Sequence, residues 1–421
     1  MKAVIISIGD ELVLGQTVDT NAAWLSEELA GLGIVISEHV TVGDDINAII
    51  KQLQRCGSET DLIIATGGLG PTRDDLTRLA LAQFLGKPLQ LHEPSFEQIK
   101  QFFQQRDRTM PQVNRIQAMF PVGCEVLENK LGTAPGIQGP VERAMAFFLP
   151  GVPREMKEMY RLQVKGKLQR WAAAKGVQKV IITRTLHTIG IGESDIAEKL
   201  GKMMDRNRHP IVNCTAADGK VSLRINAHGA HDVEALCLLE PVEREIKRRL
   251  GNLVYGKDDD TLAGVVGQLL RQHKKTLAAA ESCTGGMLSK ELTDMPGSSE
   301  YFKCGWIVYG NQAKIDFLNV DAELIEKYGA VSEEAARQLA GNARRLANTD
   351  LGLAITGIAG PDGGSEDKPV GLVYIGLVDR EQVKVGRYIL PGERAMVRRR
   401  AVNTALDVLR HRLIDIDQLS V

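Results

Sequence analysis

The chain contains 421 residues, of which 43% are hydrophobic and 25% are charged, and its formal net charge is −1. This composition is typical of a globular protein. The near-zero charge excludes the overall basic field with which many proteins attract nucleic acid or a membrane surface. No segment approaches the roughly 18 apolar residues of a membrane-spanning helix.

The N-terminus and the cysteines indicate the compartment. MKAVIISIGDEL lacks the basic start and the long apolar stretch of a signal peptide. The six cysteines are scattered without a CxxC spacing, which argues against a disulfide framework or a zinc knuckle. We therefore expect a reduced, cytoplasmic protein of two to four domains, with no nucleic-acid or membrane partner.

The first predicted domain covers residues 1–175. Strands are predicted at KAVIISIG, DLIIAT and AMAFFLPG, and helices at residues 21–32 and from about Pro153. Strands that alternate with helices favour a parallel or mostly parallel sheet covered on both faces. We expect an N-terminal α/β domain that ends near Lys175.

A small α+β module is predicted at residues 176–252. A strand at VQKVIITRTLHTIG precedes a helix at SDIAEKLGKMM, for which Ser194 is a candidate N-cap. A hairpin is expected around Asp218-Gly219, and a second helix follows it. The polar stretch YGKDDD is interpreted as a linker.

The third predicted domain, residues 257–421, is again α/β. It opens with a helix to His273 and a strand at KTLAAA, and its last helix is expected to begin near Arg394. A further helix is predicted after the turn ESCTGG. Additional strands are predicted at GWIVYG, LGLAITG, GLVYIGLV and VKVGRYIL.

The stretch GSSEYFKCGWIVYGNQAK in this domain contains a hydroxyl, a phenol and an amine that could form a hydrolytic site. Neither His273 nor His411, the two histidines of the domain, adjoins a glycine-rich or polar motif, so a histidine-based triad is improbable. Ser299, Tyr309 and Lys314 could serve instead if burial lowers the pKa of the lysine. The alternative is that Ser298 or Ser299 caps the short helix EYF and that Lys314 is solvated.

The turn AAAESCTGG places Cys283–Gly286 between a strand and a helix N-terminus, where free N–H groups favour an anion. Cys283 is either a nucleophile activated by this field or a buried structural residue. Ser282 is a rival nucleophile or a ligand-holding residue. Sequence alone leaves these alternatives open.

Two more features of this domain are compatible with an anionic ligand. The glycine-rich loop TGIAGPDGGSEDKPVG follows a predicted strand, and its glycines permit close backbone approach. Arg394 and Arg398 share a face at the start of the last helix. The alternatives are a solvated hairpin and solvated arginines.

Together, AAAESCTGG, PGSSEYFKCGWIVYGNQAK, GAVSEEAA and TGIAGPDGGSEDKPVG resemble the C-terminal domain of the CinA family. The resemblance implies a nicotinamide-nucleotide amidase of pyridine-nucleotide salvage, which converts nicotinamide mononucleotide to nicotinate mononucleotide and ammonia without a cofactor. The implied catalytic residues are Ser299, Tyr309 and Lys314. The implied substrate-binding residues are Ser282, Thr284, Gly285, Asn311, Thr356, Gly357 and Arg394.

In the first domain, SIGDELVLGQTVDTN and ATGGLGPTRDD each place polar residues directly after a predicted strand. The glycine loop could cradle a phosphate through Gly67, Gly68, Gly70 and Thr72. The carboxylates could hold a divalent metal ion against a pyrophosphate, through Asp10, Glu11, Asp74 and Asp75. The alternative is that these acidic residues cap helices. The loop is neither a Walker loop nor a dinucleotide GxGxxG fingerprint.

These two stretches, with NKLGTAPG and PGVPREM, resemble the MoaB/MogA-like domain of CinA proteins. That resemblance implies a metal-dependent ADP-ribose pyrophosphatase whose metal is not specified. Residues 176–252 resemble the KH-like module of the family, whose turn TIGIGES is acidic here and unsuited to RNA. The architecture implies a homodimer. The alternative function is a pterin-binding or competence-related scaffold with little or no catalysis.

Overall fold

The computed structural model describes residues 1–176 and 180–419. Residues 177–179, the first three of the strand predicted at VQKVIITRTLHTIG, lie outside the described residues. The chain divides into two compact units, one formed by Met1–Ile182 with Ala227–Leu238 and the other by Thr183–Asn226 with Leu239–Val421. In the described part of the chain, no helix is long and apolar enough to cross a bilayer.

The first unit is built on a mixed sheet with helices on both faces. Its strands are β1 (Lys2–Ile8), β2 (Val35–Val42), β3 (Leu62–Thr66), β4 (Leu89–Leu91), β5 (Met119–Pro121), β6 (Glu125–Leu127), β7 (Gly136–Val141) and β8 (Ala144–Leu149). Its helices are α1 (Asp10–Val13), α2 (Thr20–Gly31), α3 (Ile46–Glu59), α4 (Thr77–Leu85), α5 (Glu93–Gln104), α6 (Pro153–Met159) and α7 (Lys165–Ala174).

The main sheet of this unit has the order β2-β1-β3-β8-β7-β6. The first four of these strands are parallel; β7 is antiparallel to β8, and β6 is antiparallel to β7. Every residue of β3 is buried, as expected for a strand covered on both faces. The side chains of Asp19 and Asp45 cap α2 and α3. The predicted mostly parallel sheet is therefore confirmed.

The KH-like part has strands β9 (Val180–Ile189), β10 (Ile211–Ala217), β11 (Lys220–Gly229) and β12 (Val254–Lys257), and helices α8 (Glu193–Leu200) and α9 (Asp232–Leu250). The sheet order is β10-β11-β9-β12. Asp218 and Gly219 both have positive φ, 53° and 80°, as a two-residue hairpin requires, so the predicted hairpin is confirmed.

Two local predictions in this region were wrong. The YGKDDD stretch begins within β12, which pairs with β9; a short polar segment was recruited as an edge strand, which its composition does not reveal. The N-cap of α8 is Gly192 and not Ser194. The helix therefore starts before the residue that propensity favours.

The C-terminal part has strands β13 (Leu277–Glu281), β14 (Phe302–Ile307), β15 (Leu351–Gly357), β16 (Leu372–Val378) and β17 (Val383–Ile389). Its helices are α10 (Leu262–Gln272), α11 (Met287–Thr293), α12 (Asn311–Leu318), α13 (Ala322–Tyr328), α14 (Glu333–Ala347) and α15 (Arg394–Leu419). The sheet order is β14-β13-β15-β16-β17, with β13 parallel to both neighbours.

Helices cover both faces of this five-stranded C-terminal sheet. Small residues allow α14 to approach closely, since a Cβ atom at Gly352 or Gly376 would overlap the backbone of that helix. On the other face, α10 and α15 enclose an apolar core with residues of β13 and β15. The parallel arrangement of β13, β14 and β15 brings their carboxyl ends to one edge, where open α/β sheets bind ligands.

Candidate active site

The carboxyl ends of the three parallel strands meet in the C-terminal sheet. The Ser282 amide donates to the Ile355 carbonyl at 3.0 Å, and the Val308 amide donates to the Glu281 carbonyl at 2.9 Å. Ser282 therefore lies between the segment that follows β14 and the end of β15.

The turn after β13 is held from inside by Glu281, which is fully buried. Its carboxylate accepts hydrogen bonds from the amides of Gly286, Leu288 and Ser289 and from the Ser289 hydroxyl, at 2.7–3.0 Å. Gly285 and Gly286 adopt positive φ of 59° and 92°, which glycine tolerates. Sequence reasoning missed Glu281. Its signal is a carboxylate that ends the otherwise apolar strand LAAAE.

Arg398 holds the same turn from outside. Its Nε donates to the Cys283 carbonyl at 3.0 Å, and its Nη2 donates to the Thr284 carbonyl at 2.7 Å. Sequence reasoning paired Arg398 with Arg394 as a candidate for binding an anionic ligand and did not foresee that it holds this turn. The available signal was their spacing of four residues on one helical face.

Lys314 is buried, with 1% of its surface exposed. Its Nζ donates to the carbonyls of Val308 at 2.8 Å and Tyr309 at 3.0 Å. Burial lowers the pKa of Lys314, and an ionised Cys283 nearby would oppose that shift. The alternative of a solvated lysine is therefore wrong.

Cys283 lies beside Ser282 and is buried. Burial raises the pKa of its thiol to about 11, which outweighs the favourable effects of a backbone hydrogen bond and Arg398. The thiol is therefore protonated near neutral pH, and only the thiolate is a good nucleophile. The buried structural interpretation of Cys283 fits this environment.

Tyr309 and Arg394 form the open side of the site. Tyr309 is 61% exposed, and its hydroxyl accepts a hydrogen bond from Arg394 Nη2 at 3.2 Å. Arg394 Nη1 donates to the Gly360 carbonyl at 2.8 Å. The arginine therefore joins the glycine-rich loop to the segment that follows β14.

Ser299 does not lie at this edge. It is exposed in the 3₁₀ helix Ser298–Glu300, before β14 begins, whereas Tyr309 and Lys314 follow the end of β14. The strand between them spans roughly 17 Å at about 3.3 Å per residue. The predicted grouping of Ser299 with Tyr309 and Lys314 is therefore corrected, and Ser282 is the serine that lies at the same edge of the sheet as Lys314.

The other predicted substrate-binding residues lie at the same edge and differ in burial and in hydrogen bonding. Thr284 is fully buried, and among the described residues its hydroxyl has no hydrogen-bond partner. Asn311 is the exposed first residue of α12. The Thr356 hydroxyl donates to the Ala330 carbonyl at 2.7 Å, so it supports the loop before α14. Gly357 ends β15.

A separate pocket of about 660 Å³ lies at the carboxyl ends of β1 and β3 in the first unit. Because these strands are parallel neighbours, the segments that follow them lie side by side. All eight residues predicted there line the pocket: Asp10, Glu11, Gly67, Gly68, Gly70, Thr72, Asp74 and Asp75.

Asp75 closes the glycine loop. Its carboxylate accepts hydrogen bonds from the Gly70 amide at 2.8 Å, the Thr72 amide at 2.7 Å and the Thr72 hydroxyl at 2.6 Å. These bonds shape the loop and occupy three of the roughly four acceptor sites of the carboxylate, which leaves little capacity for a metal ion. Asp75 is thus a loop-forming residue in this structure.

Asp44 is an acidic residue of this pocket that sequence reasoning missed. Its carboxylate accepts from the Asp10 amide, and Asp10 accepts in return from the Asp44 amide, both at 3.0 Å. Burial raises the pKa of Asp44, as do the nearby carboxylates of Asp10, Glu11 and Asp75. The signal was the segment GDD directly after a strand of the same sheet.

The pocket is strongly acidic. Seven carboxylate residues line it, and no Lys, Arg or His from the described ranges does. However, nowhere in residues 1–176 and 180–419 do three or more His, Cys, Asp or Glu side chains come together to hold a metal ion. The predicted ligands Asp10, Glu11, Asp74 and Asp75 therefore do not form a preformed metal cage.

Comparison with known proteins agrees with this layout. Residues 4–170 match the family model described as "Probable molybdopterin binding domain", residues 183–256 match "Damage-inducible protein CinA KH domain", and residues 259–413 match "CinA C-terminal domain". A competence-damage inducible protein of Alkaliphilus metalliredigens is 44% identical over 416 residues, covering 99% of this chain and 100% of that protein.

This chain belongs to the CinA family. A competence-damage inducible protein of Clostridium botulinum (strain 657 / Type Ba4) is 42% identical over 98% of this chain and 100% of its own length. Among solved structures, the competence/damage inducible protein CihA of Agrobacterium tumefaciens is 37% identical, with a TM-score of 0.35, over 36% of this chain and 93% of that chain. A CinA superfamily protein of Klebsiella pneumoniae is 31% identical, with a TM-score of 0.36, over 37% and 96%.

The CinA family is linked to amidohydrolase activity in general. The C-terminal edge presents groups that such chemistry can use: a hydroxyl at Ser282, a buried amine at Lys314 and a Thr284 hydroxyl with no hydrogen-bond partner among the described residues. Arg394 provides a cation on the open side. This CinA site is thus equipped for acyl transfer without histidine.

Proposed function

We propose that the C-terminal site hydrolyses nicotinamide mononucleotide to nicotinate mononucleotide and ammonia. The observation that carries this proposal is the burial of Lys314 against the strand end next to Ser282. A buried lysine with a lowered pKa can act as a base. The neighbouring serine supplies the nucleophile.

In the proposed reaction, Ser282 Oγ attacks the carboxamide carbon and its proton passes to the neutral Lys314 amine. The tetrahedral intermediate expels ammonia, which takes that proton as it leaves. Water then attacks the acyl-serine carbonyl and gives a proton to Lys314, which returns it to Ser282 Oγ as the acyl–oxygen bond breaks and the carboxylate product leaves. The Thr284 hydroxyl is a candidate donor to the oxyanion, because it is buried and otherwise unpartnered in the described structure.

The substrate phosphate is assigned to Arg394, with Tyr309 orienting the guanidinium. Ser299, which sequence reasoning named as the nucleophile, has no catalytic role in this proposal because β14 separates it from Lys314. Gly285, Asn311 and Gly357 line the substrate, whereas Thr356 supports the site through Ala330. The amidase step requires no cofactor.

The test of this proposal is release of ammonia from nicotinamide mononucleotide by the purified full chain, measured with and without a chelator. We expect equal rates in both conditions. A chain that releases no ammonia, or one that releases it only with added metal, contradicts the proposal.

We propose a second activity, metal-dependent cleavage of ADP-ribose to AMP and ribose 5-phosphate, in the first unit. The glycine loop and the acidic pocket beside it favour this activity. Because the carboxylates form no preformed cage, a divalent ion would be held by Asp10, Glu11 and Asp74 only together with phosphate oxygens. The metal would neutralise the pyrophosphate against the acidic lining. AMP release that depends on added Mg²⁺ or Mn²⁺ tests this activity.

The same assays distinguish these activities from the alternative, a pterin-binding or competence-related scaffold, which predicts no turnover of either nucleotide. We further propose that the chain acts in the cytoplasm as a homodimer, and that its domains are residues 1–175, 176–252 and 257–421. Limited proteolysis tests these boundaries, and sedimentation tests the oligomeric state.

A further inference from the structure

Two buried polar side chains of α15 donate hydrogen bonds to backbone carbonyls of the KH-like module. Asn403, 3% exposed, donates from Nδ2 to the Asp218 carbonyl at 3.0 Å. Arg410, 2% exposed, donates from Nη2 to the Asn252 carbonyl at 2.7 Å. Seven residues separate them, so they lie on one face of the helix, two turns apart. A buried polar group is costly without its partner, so α15 is adapted to a docked module.

The contact extends around the hairpin turn 218–219. The Asp218 carboxylate accepts a hydrogen bond from Arg399 Nη1 at 3.0 Å, and a Cβ atom at Gly219 would lie 3.4 Å from Cγ of Arg400. Ile189 and Tyr255 of the module belong to the same apolar core as residues of α15. The module and the helix therefore share one packed interior.

The same helix reaches the candidate active site at its other end. Arg398 holds the carbonyls of Cys283 and Thr284, and Arg394 holds Gly360 and the Tyr309 hydroxyl. Asn403 is five residues from Arg398, about 7.5 Å along the helix. A displacement of the helix at Asn403 is therefore carried to both arginines, because a helix moves as a rigid element.

We propose that the KH-like module is a positioning element of the amidase site. Docking of the 218–219 turn on Asn403 sets the position of the first turns of α15, and so sets the contacts of Arg394 and Arg398. Asn403 is accordingly a positioning residue. This inference rests on the proposed amidase function for its kinetic consequences, while its structural part stands independently.

The experiment uses the full chain with Asn403→Ala and the matched control Thr404→Val. Among the residues that the structure describes, the Thr404 hydroxyl bonds within α15, to the Arg400 carbonyl at 2.8 Å, so the control perturbs the helix and spares the module. Arg399→Gln, at the exposed rim of the contact, is a milder second variant should Asn403→Ala not fold. Hydrogen exchange is followed at amides 285–289 and 218–220, together with KM and kcat for nicotinamide mononucleotide.

We expect Asn403→Ala to speed exchange in both segments and to raise KM about threefold to tenfold with kcat within twofold, since one buried hydrogen bond is lost. Arg399→Gln should speed exchange and raise KM in the same direction, by smaller amounts. Faster exchange at 218–220 with unchanged exchange at 285–289 and unchanged KM overturns the proposal, as do equal effects in Thr404→Val. If the wild-type chain does not deamidate the substrate, the proposed function fails, and exchange at 285–289 alone decides the positioning role.

Discussion

Arg394 Nη2 donates to the Tyr309 hydroxyl at 3.2 Å, joining two residues that are 85 positions apart in the chain. The phenol lies after β14, and the guanidinium lies at the start of α15. A cation held at the open side of a site beside a buried lysine is suited to bind the anionic end of a substrate. In the amidase interpretation, this pair binds the substrate phosphate.

Arg394→Ala should therefore weaken substrate binding more than it slows chemistry. Loss of a charge-assisted contact costs about 1.5–3 kcal/mol, so KM should rise roughly tenfold to a hundredfold with a smaller change in kcat. Steady-state kinetics with nicotinamide mononucleotide measure both. Tyr309→Phe, which removes the hydroxyl that orients Arg394, should raise KM less. An unchanged KM in Arg394→Ala would show that the substrate phosphate binds elsewhere.

Ser282→Ala should abolish ammonia release, while Ser299→Ala and Cys283→Ala should retain most of it. Ser282 lies beside the strand end that holds Lys314, Ser299 lies before β14, and the Cys283 thiol is protonated because burial raises its pKa to about 11. Single-turnover assays of the three variants give the comparison. Near-normal turnover by Ser282→Ala, with loss in Ser299→Ala, would restore the nucleophile inferred from sequence.

Lys314 should produce a pH dependence that begins below the ordinary lysine range. Burial lowers its pKa from 10.5. The neutral amine therefore forms at pH values below 10.5, and kcat should rise with pH in that range. Between the lowered pKa and 10.5 the folded state binds fewer protons than the unfolded state, so the free energy of unfolding should also rise with pH in that window.

Lys314→Met serves as the control for this dependence. It should lose activity and lose the Lys314 contribution to the pH dependence of unfolding, measured by denaturant titration between pH 7 and pH 10. A variant with the wild-type pH slope of stability would show that Lys314 titrates normally in the folded protein.

In the first unit, Asp75→Ala and Asp74→Ala should have different effects on stability and on activity. Asp75 accepts three hydrogen bonds that close the glycine loop, so its loss should lower stability by roughly 1–3 kcal/mol and disturb nucleotide binding with or without metal. Asp74 is exposed and lines the pocket, so its loss should mainly weaken metal-dependent AMP release. Denaturant unfolding and calorimetric titration of ADP-ribose separate the two. Equal stability of the two variants contradicts the loop role of Asp75.

Sequence by itself determined the types of most elements that it predicted, the YGKDDD stretch excepted, together with the mostly parallel first sheet, the Asp218-Gly219 hairpin and the family. Apolar periodicity, glycine positions and extended motifs report local conformation and ancestry, so these features needed no coordinates. Sequence also identified Tyr309, Lys314, Ser282 and Arg394 as residues of interest.

Only the tertiary structure decided which of these residues meet. Strand order places β13 between β14 and β15, so Ser282 shares an edge with Lys314 while β14 carries Ser299 to the opposite end. Glu281 and Arg398 act through backbone groups of a turn, and Asn403 through a carbonyl 185 residues away. Such contacts depend on how distant segments pack. No local pattern encodes that packing, because the same side chains would be solvated in a different arrangement.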